Sequence, residues 1–215
     1  KPTTLEPRDV ILFGFGRIGR LLARELIVQE GSGHQLRLRA VAVRSIDAAS
    51  LHKRASLLKI DSVHGDFPGT IAVDEKNLAL IINGRPVYFI PAPDPTKADY
   101  TAYGINKALL IDNSGAFRDE TALNKHLEGK GVGKVLLTAP GKGIPNVVYG
   151  VNQHSVSKSD RVISAASCTT NAISPVLKVV NDHFGIERGH LETIHAYTND
   201  QNLVDNMHSK YRRGR

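Results

Sequence analysis

The run Val10-Ile11-Leu12-Phe13-Gly14-Phe15-Gly16-Arg17-Ile18-Gly19 decides the fold. Four apolar residues in succession suit a strand covered on both faces, and they end at a glycine. Beyond it Ile18, Leu21, Leu22, Leu26 and Ile27 recur every three to four residues, which places them on one face of a helix. The segment reads as strand, tight turn and helix, with Gly14, Gly16 and Gly19 spaced as GxGxxG. In that setting the spacing points to a dinucleotide-binding turn. Gly14 permits the bend, Gly16 lets backbone approach a pyrophosphate, and Gly19 lets helix pack on strand. Free N–H groups at the helix start suit the phosphates. The plainer reading is that the glycines only make a tight turn.

Working outward, Gly31-Ser32-Gly33 breaks the helix, and Leu36 to Val43 alternates before turning continuously apolar, as a strand does on entering a covered parallel sheet. This completes a βαβ unit. A helix at 47–59, strands near 70–73, 78–82, 86–90, 108–112 and 134–138, and a helix holding Leu123 to Leu127 continue the alternation. The predicted class is α/β, a doubly wound Rossmann-type parallel sheet. After Ser164-Ala165-Ala166-Ser167 a helix is expected from Thr170 to His183, then a strand from Leu191 to Ala196. The boundary is set at 9–167 for the dinucleotide-binding domain, and 168–215 is the incomplete beginning of a second, α+β domain.

The 215 residues suit one domain and a fraction, at roughly 150 residues per domain. With 41% hydrophobic and 23% charged residues the chain can bury a core, which excludes disorder and collagen-like repeats. A single cysteine excludes an internal disulfide framework and a Cys-rich zinc site, and favours a reducing, intracellular setting. No apolar run approaches the ~18 residues of a membrane span. The start Lys1-Pro2-Thr3-Thr4 has neither a methionine nor a signal peptide's apolar core, so a trimmed end is expected. The net charge of +7 suits nucleic acid or phosphorylated small molecules. Lys210, Arg212, Arg213 and Arg215 crowd the end while the other cations are scattered, and no aromatics interleave with them. Nucleic acid is therefore the less favoured partner.

At the end of the second strand, where dinucleotide folds place a carboxylate for the ribose hydroxyls, the chain reads Val43-Arg44-Ser45. A carboxylate ~4 Å from a phosphate charge costs about 4 kcal/mol at an effective dielectric of 20, so its absence removes the main barrier to a 2′-phosphate. Arg44 is a candidate ligand for NADP. The alternative is a solvated Arg44, with Asp47 serving the ribose of NAD.

The only cysteine lies in Ser167-Cys168-Thr169-Thr170-Asn171, between an apolar strand and a helix. A helix N-terminus lowers a thiol's pKa, and its free N–H groups can hold an oxyanion or a phosphate. By composition alone a lone cysteine is a buried small hydrophobe; the helix-start position favours a nucleophile instead. A nucleophile needs a base. Among nine histidines His195 stands in a distinctive run, Thr193-Ile194-His195-Ala196-Tyr197-Thr198-Asn199-Asp200-Gln201. Spacing alone does not bring it to Cys168.

These residues resemble the phosphorylating glyceraldehyde-3-phosphate dehydrogenases. The matching pieces are GFGRIGR at 14–20, LLKIDSVHG at 57–65, NSGAF at 113–117, LTAPGKG at 137–143, GVN at 150–152, ASCTTNA at 166–172, HAYTNDQ at 195–201 and RRGR at 212–215, in the family's order. The resemblance implies that Cys168 attacks the substrate aldehyde and that His195 raises its thiolate character and takes the hydroxyl proton. It implies that Ser167, Thr169 and Arg213 hold the attacking phosphate and Thr198 the substrate's own. Gly14, Gly16, Arg17, Ile18 and Gly19 would meet the pyrophosphate, Ser114 and Gly115 would line the cofactor groove, and Thr138 would approach the nicotinamide. Also implied are NAD or NADP, no metal, inorganic phosphate and a phosphorylated aldehyde as substrates, a cytoplasmic homotetramer, and a place in glycolysis or gluconeogenesis. Relatives acting on erythrose 4-phosphate share the cysteine motif, and a non-catalytic dinucleotide-fold binding protein is the other alternative. Two departures concern the cofactor: Ser45 stands where the family has an acidic ribose ligand, and Pro93 where it has an arginine on the adenine side. The family extends past residue 215, so the chain is expected to be a fragment, inactive alone.

Overall fold

Val10, Ile11 and Leu12 retain no exposed surface, so β1 (Arg8–Phe13) is enclosed on both faces, as its unbroken apolar run requires. The structure is a computed structural model that describes residues 7–33 and 35–197. After β1 come α1 (Arg17–Gly31), β2 (Leu36–Val43), α2 (Ala48–Lys59), β3 (Ile60–Asp61), β4 (Gly65–Asp66), β5 (Ile71–Asp74), β6 (Ala79–Ile82) and β7 (Arg85–Pro91). They are followed by β8 (Ala108–Asp112), α3 (Glu120–Glu128), β9 (Val132–Leu137), β10 (Val162–Ser164) and α4 (Cys168–Phe184).

Eight strands form one sheet in the order β10-β9-β8-β1-β2-β7-β6-β5, and β3 pairs with β4 apart from it. All pairs from β10 to β7 are parallel, while β6 and β5 add an antiparallel edge. Taken from β7, the six parallel strands lie in the order 3-2-1-4-5-6, that of the dinucleotide-binding α/β fold. The expected α/β class and doubly wound sheet are thus the observed ones. In such a sheet ligands lie beyond the carboxyl ends of the strands where the order reverses, here between β1 and β8.

Alternation along β1 divides the core. Val10 and Leu12 join Ala23, Leu26, Leu51 and Leu58 under α1 and α2, whereas Ile11 and Phe13 join Leu110, Leu123 and Val135 under α3. Truncating Leu12 to alanine is expected to cost about 2–5 kcal/mol. Helix starts follow from their caps. The Asp47 carboxylate accepts from the Ser50 N–H at 2.7 Å while the Ser50 hydroxyl accepts from the Asp47 N–H at 3.0 Å, closing a reciprocal box on α2. Asp119 caps α3 through the Ala122 N–H.

Two expectations near the end of the described chain need correcting. α4 begins at Cys168 rather than Thr170, because the Ser167 hydroxyl accepts from the Thr170 N–H at 2.9 Å and so ends the preceding turn. Leu191 to Ala196 is not a strand: its residues are exposed and form no ladder with any other described residue, and extended backbone becomes a strand only when a ladder takes up its N–H and C=O groups.

Candidate active site

At the carboxyl end of β1 the chain turns on Gly14, whose φ of +96° suits glycine. A Cβ there would lie 2.9 Å from the Ser114 Cα, so the first glycine is also where the turn meets the segment after β8. Gly16 begins α1 with no side-chain cap and with open space around it, leaving the first-turn N–H groups facing the crevice. A Cβ on Gly19 would collide with the Asn113 carboxamide and the Gly14 carbonyl. The glycines therefore leave a cradle of bare backbone at a helix N-terminus, at the switch point of the sheet, which fits a pyrophosphate.

Arg17, the first residue of α1, has its Nε 3.7 Å from the buried Asp61 carboxylate. Burial pushes that carboxyl up. The N–H and ring of His64, the N–H of Val63 and the Arg17 charge together outweigh burial and bring it down to about 2. The segment 57–65 thus supports the arginine of the glycine turn. Ile18 is half exposed beside it.

The next wall comes from β8 and β9. Asp112, fully buried at the end of β8, accepts from both the N–H (2.8 Å) and the hydroxyl (2.7 Å) of Ser114. Its own carbonyl accepts from the Thr138 N–H at 3.0 Å and the Thr138 hydroxyl at 3.1 Å. Ser114 and Gly115 are exposed, and Thr138 is half-buried. At the other side of β1, Arg44 and Ser45 are exposed just past β2, beside Pro91 of β7. Asp47 spends one carboxylate oxygen on its cap, and Asp94 is occupied by the Thr96 N–H and hydroxyl.

The second cluster lies after β10. Ala166 takes φ of +59°, uncommon for a residue with a side chain, and this tight turn delivers Cys168 directly to the start of α4. The Asn171 amide braces the turn by donating to the carbonyls of Ala165 and Ser167. Cys168 Sγ lies 3.2 Å from His195 Nε2, and His195 Nδ1 donates to the Ala196 carbonyl at 2.6 Å. With Nδ1 committed as a donor, Nε2 is left to take the thiol proton. The hydrogen bond to His195 holds the Cys168 thiol below its ordinary value, assisted by Thr169, and the same contact raises His195.

Among the sequence-predicted residues, Gly14, Gly16, Arg17, Ile18, Gly19, Ser114, Gly115 and Thr138 gather at the ends of β1, β8 and β9, and Arg44 and Ser45 at the end of β2. Cys168 and His195 meet, with Thr169 beside the sulfur. The Ser167 hydroxyl is engaged in the cap. Thr198 and Arg213 lie outside the described residues. Sequence reasoning missed Asp61, Asp112 and His126. The signal for Asp112 was a lone carboxylate closing the apolar strand Ala108-Leu109-Leu110-Ile111. Among the described residues no helix is long and apolar enough to cross a membrane, and no acidic, histidine and cysteine side chains converge as a metal site would need.

Comparison with known proteins agrees with this geometry. Residues 8–120 match the glyceraldehyde 3-phosphate dehydrogenase NAD binding domain, and residues 167–215 match the C-terminal domain of the same enzyme. The chain is 57% identical over 211 residues to a glyceraldehyde-3-phosphate dehydrogenase-like protein of Pseudomonas aeruginosa, covering 98% of this chain and 46% of the relative. It is 39% identical to a glyceraldehyde-3-phosphate dehydrogenase of Thermotoga maritima, covering 96% of this chain and 59% of that one. It is 40% identical to a chloroplastic glyceraldehyde-3-phosphate dehydrogenase A of Scenedesmus vacuolatus, covering 94% and 62%. The chain thus spans about half the length of the curated relatives it matches. A glycine cradle at the β1–β8 switch point, a cysteine at a helix start in hydrogen-bond contact with a histidine, and matches on both sides of that cysteine agree: the chain belongs to the glyceraldehyde-3-phosphate dehydrogenase family.

Proposed function

We propose that this chain carries the cofactor-binding and nucleophilic parts of a phosphorylating aldehyde dehydrogenase that converts glyceraldehyde 3-phosphate and inorganic phosphate to 1,3-bisphosphoglycerate, with NAD or NADP as oxidant. The observation that carries this reading is the 3.2 Å contact between Cys168 Sγ and His195 Nε2 at the first turn of α4. In this reading residues 9–167 bind the dinucleotide and 168–215 begin the catalytic domain.

The Cys168 thiolate attacks the aldehyde carbon, the C=O π bond opens, and the oxyanion takes the proton that His195 received from the thiol, giving a thiohemiacetal and a neutral His195. The N–H groups at the start of α4 face the developing oxyanion. His195 accepts the hydroxyl proton as the carbon is oxidised to a thioester. The dinucleotide, when bound, supplies the hydride acceptor. A phosphate oxygen then attacks the thioester carbonyl, the C–S bond breaks, and Cys168 leaves as thiolate with the acyl phosphate formed. At pH 7 a thiol of pKa ~8.5 is about 3% ionised, so complete ionisation gains roughly thirtyfold. Positioning and the oxyanion donors must supply the rest. Gly14, Gly16, Arg17, Ile18 and Gly19 would hold the pyrophosphate, Ser114, Gly115 and Thr138 the nicotinamide side, and Arg44 and Ser45 the adenosine ribose. Ser167, Thr169, Thr198 and Arg213 would hold the phosphates. The same reading places the enzyme in the cytoplasm as a homotetramer, in glycolysis or gluconeogenesis.

The test is phosphate-dependent reduction of NAD or NADP by glyceraldehyde 3-phosphate, with and without Cys168→Ser, in a polypeptide that joins this chain to the rest of the family's catalytic domain, since the 215 residues alone are expected to be inactive. The variant should form no acyl phosphate while binding dinucleotide within severalfold of the parent. Acyl-phosphate formation by the variant would dismiss the nucleophile, and faster turnover of erythrose 4-phosphate would reassign the substrate. A non-catalytic binding role has one observation in its favour, the "-like" name of the 57% identical relative. It predicts dinucleotide binding with no aldehyde-dependent labelling of Cys168.

A further inference from the structure

The mechanism leaves one buried titratable pair unused. His126 of α3 and Asp112 at the end of β8 have fully buried side chains, with His126 Nε2 2.8 Å from Asp112 Oδ2. The other carboxylate oxygen holds the N–H and hydroxyl of Ser114, and the backbone carbonyl of Asp112 holds Thr138. The imidazole also packs edge-on against Phe13, with centroids 4.5 Å apart, and Phe117, at 5.0 Å. Phe13 immediately precedes Gly14, and Phe117 closes the segment that begins at Asn113. One side chain therefore touches the last residues of β1 and β8, and Asp112 in turn holds Thr138 just past β9, at the three strand ends that form the crevice.

The tautomer follows from the partners. An ionised carboxylate only accepts, so Nε2 carries the proton and donates to Asp112. Nδ1 is buried with no partner among the described residues. An aspartate so deeply buried needs its full set of donors, because an unpaired carboxylate oxygen there loses hydration without compensation. Without His126, Oδ2 would have to find another donor. The Ser114 N–H and hydroxyl already serve the other oxygen of the same carboxylate, so a turn of that carboxylate would disturb both.

We propose that His126 is a positioning residue for the dinucleotide site: by saturating Asp112 Oδ2 it fixes the carboxylate plane, and so the Ser114 that lines the crevice. The proposal rests on the dinucleotide reading of that crevice, but the positioning itself can be measured without ligand.

The experiment compares His126→Leu, which keeps the volume and deletes the donor, with His126→Gln, whose amide can reach Oδ2, and Leu123→Ala. Leu123 is equally buried on α3 and has no hydrogen-bonding side chain to offer Asp112. In the 215-residue chain, at a temperature where each variant is folded by circular dichroism, amide exchange at Ser114 should quicken at least tenfold in His126→Leu relative to Thr138, whose N–H bonds the Asp112 backbone carbonyl, and to Ile11. It should stay within threefold in His126→Gln, and Leu123→Ala should change all three amides together. NAD or NADP binding by calorimetry should weaken tenfold or more in His126→Leu, recover in His126→Gln and hold within threefold in Leu123→Ala. Unchanged exchange at Ser114 in His126→Leu, or an equal effect of Leu123→Ala on affinity, would overturn the proposal. A parent chain that binds neither dinucleotide would sink the dinucleotide reading alone, and the exchange comparison would still decide the positioning.

Discussion

Asn113 stands where a side chain on Gly19 would have to go. Its carboxamide and the Gly14 carbonyl both fall inside contact distance of a Cβ at that position. Gly19→Ala should therefore cost about 1–3 kcal/mol, as overpacking does, and shift the urea midpoint accordingly. Gly16→Ala meets open space and gives up only the mild preference for glycine at a helix cap, at most about 1 kcal/mol. Its new methyl projects into the crevice, so dinucleotide affinity should fall tenfold or more. Equal affinity losses from the two variants at matched stability would contradict this division of labour.

Cys168 should react with iodoacetamide at a pH below that of an ordinary thiol, because the thiolate fraction rises through a lowered pKa. His195→Ala removes the principal cause, so the midpoint of the pH–rate curve should move up and labelling at pH 7 should slow severalfold. An unmoved midpoint would show that the helix start alone sets the reactivity.

Asp61 links acid stability to the glycine turn. Its carboxyl sits at about 2 in the folded chain against 3.8 as reference, so its contribution is complete above about pH 5 and is lost as pH falls toward 2. The shift corresponds to roughly 2 kcal/mol at neutral pH. Asp61→Asn should lower unfolding stability by about 1–2 kcal/mol at pH 7 and by much less near pH 2, measured by urea titration at both. A deficit independent of pH would assign the loss to packing rather than charge.

With no carboxylate at 44 or 45, and with one oxygen of each of Asp47 and Asp94 taken by its cap, NADP should bind at least as tightly as NAD. Arg44→Ala should weaken NADP about tenfold and leave NAD within twofold, by calorimetry at fixed salt, since a single charge contact near the surface is worth about 1–2 kcal/mol. A tenfold preference of the parent for NAD would end this reading.

The legible parts were those with local signals. The apolar run Val10 to Phe13, the glycine spacing after it and the period of Ile18 to Ile27 sufficed for β1 and α1, and the alternation of strands and helices beyond them for the doubly wound α/β class. Cys168 was legible because small hydroxyl residues mark a helix cap. Its contact with His195 was not, since no local pattern encodes the approach of two segments. Leu191 to Ala196 misled because a strand is made by its partner, which no local run of residues supplies. His126 was invisible for a related reason. On its own helix it reads as one more polar position, and its burial depends on Phe13, Phe117 and Asp112, which arrive from three other segments.

The sheet also has a timetable. β5, β6 and β7 pair with their chain neighbours, and Asn83 and Gly84, at φ of +48° and +80°, make the tight turn joining β6 to β7. Such local contacts form early. β1 must instead meet β8 across nearly half the chain, from Phe13 to Asp112, and that closure entropy has to be met before the pairing rewards it. The seam that closes late is the one holding the glycine turn against Ser114. A dinucleotide has nothing to grip until the sheet is nearly complete, so it should act on the chain's lifetime, slowing unfolding, far more than on its rate of folding.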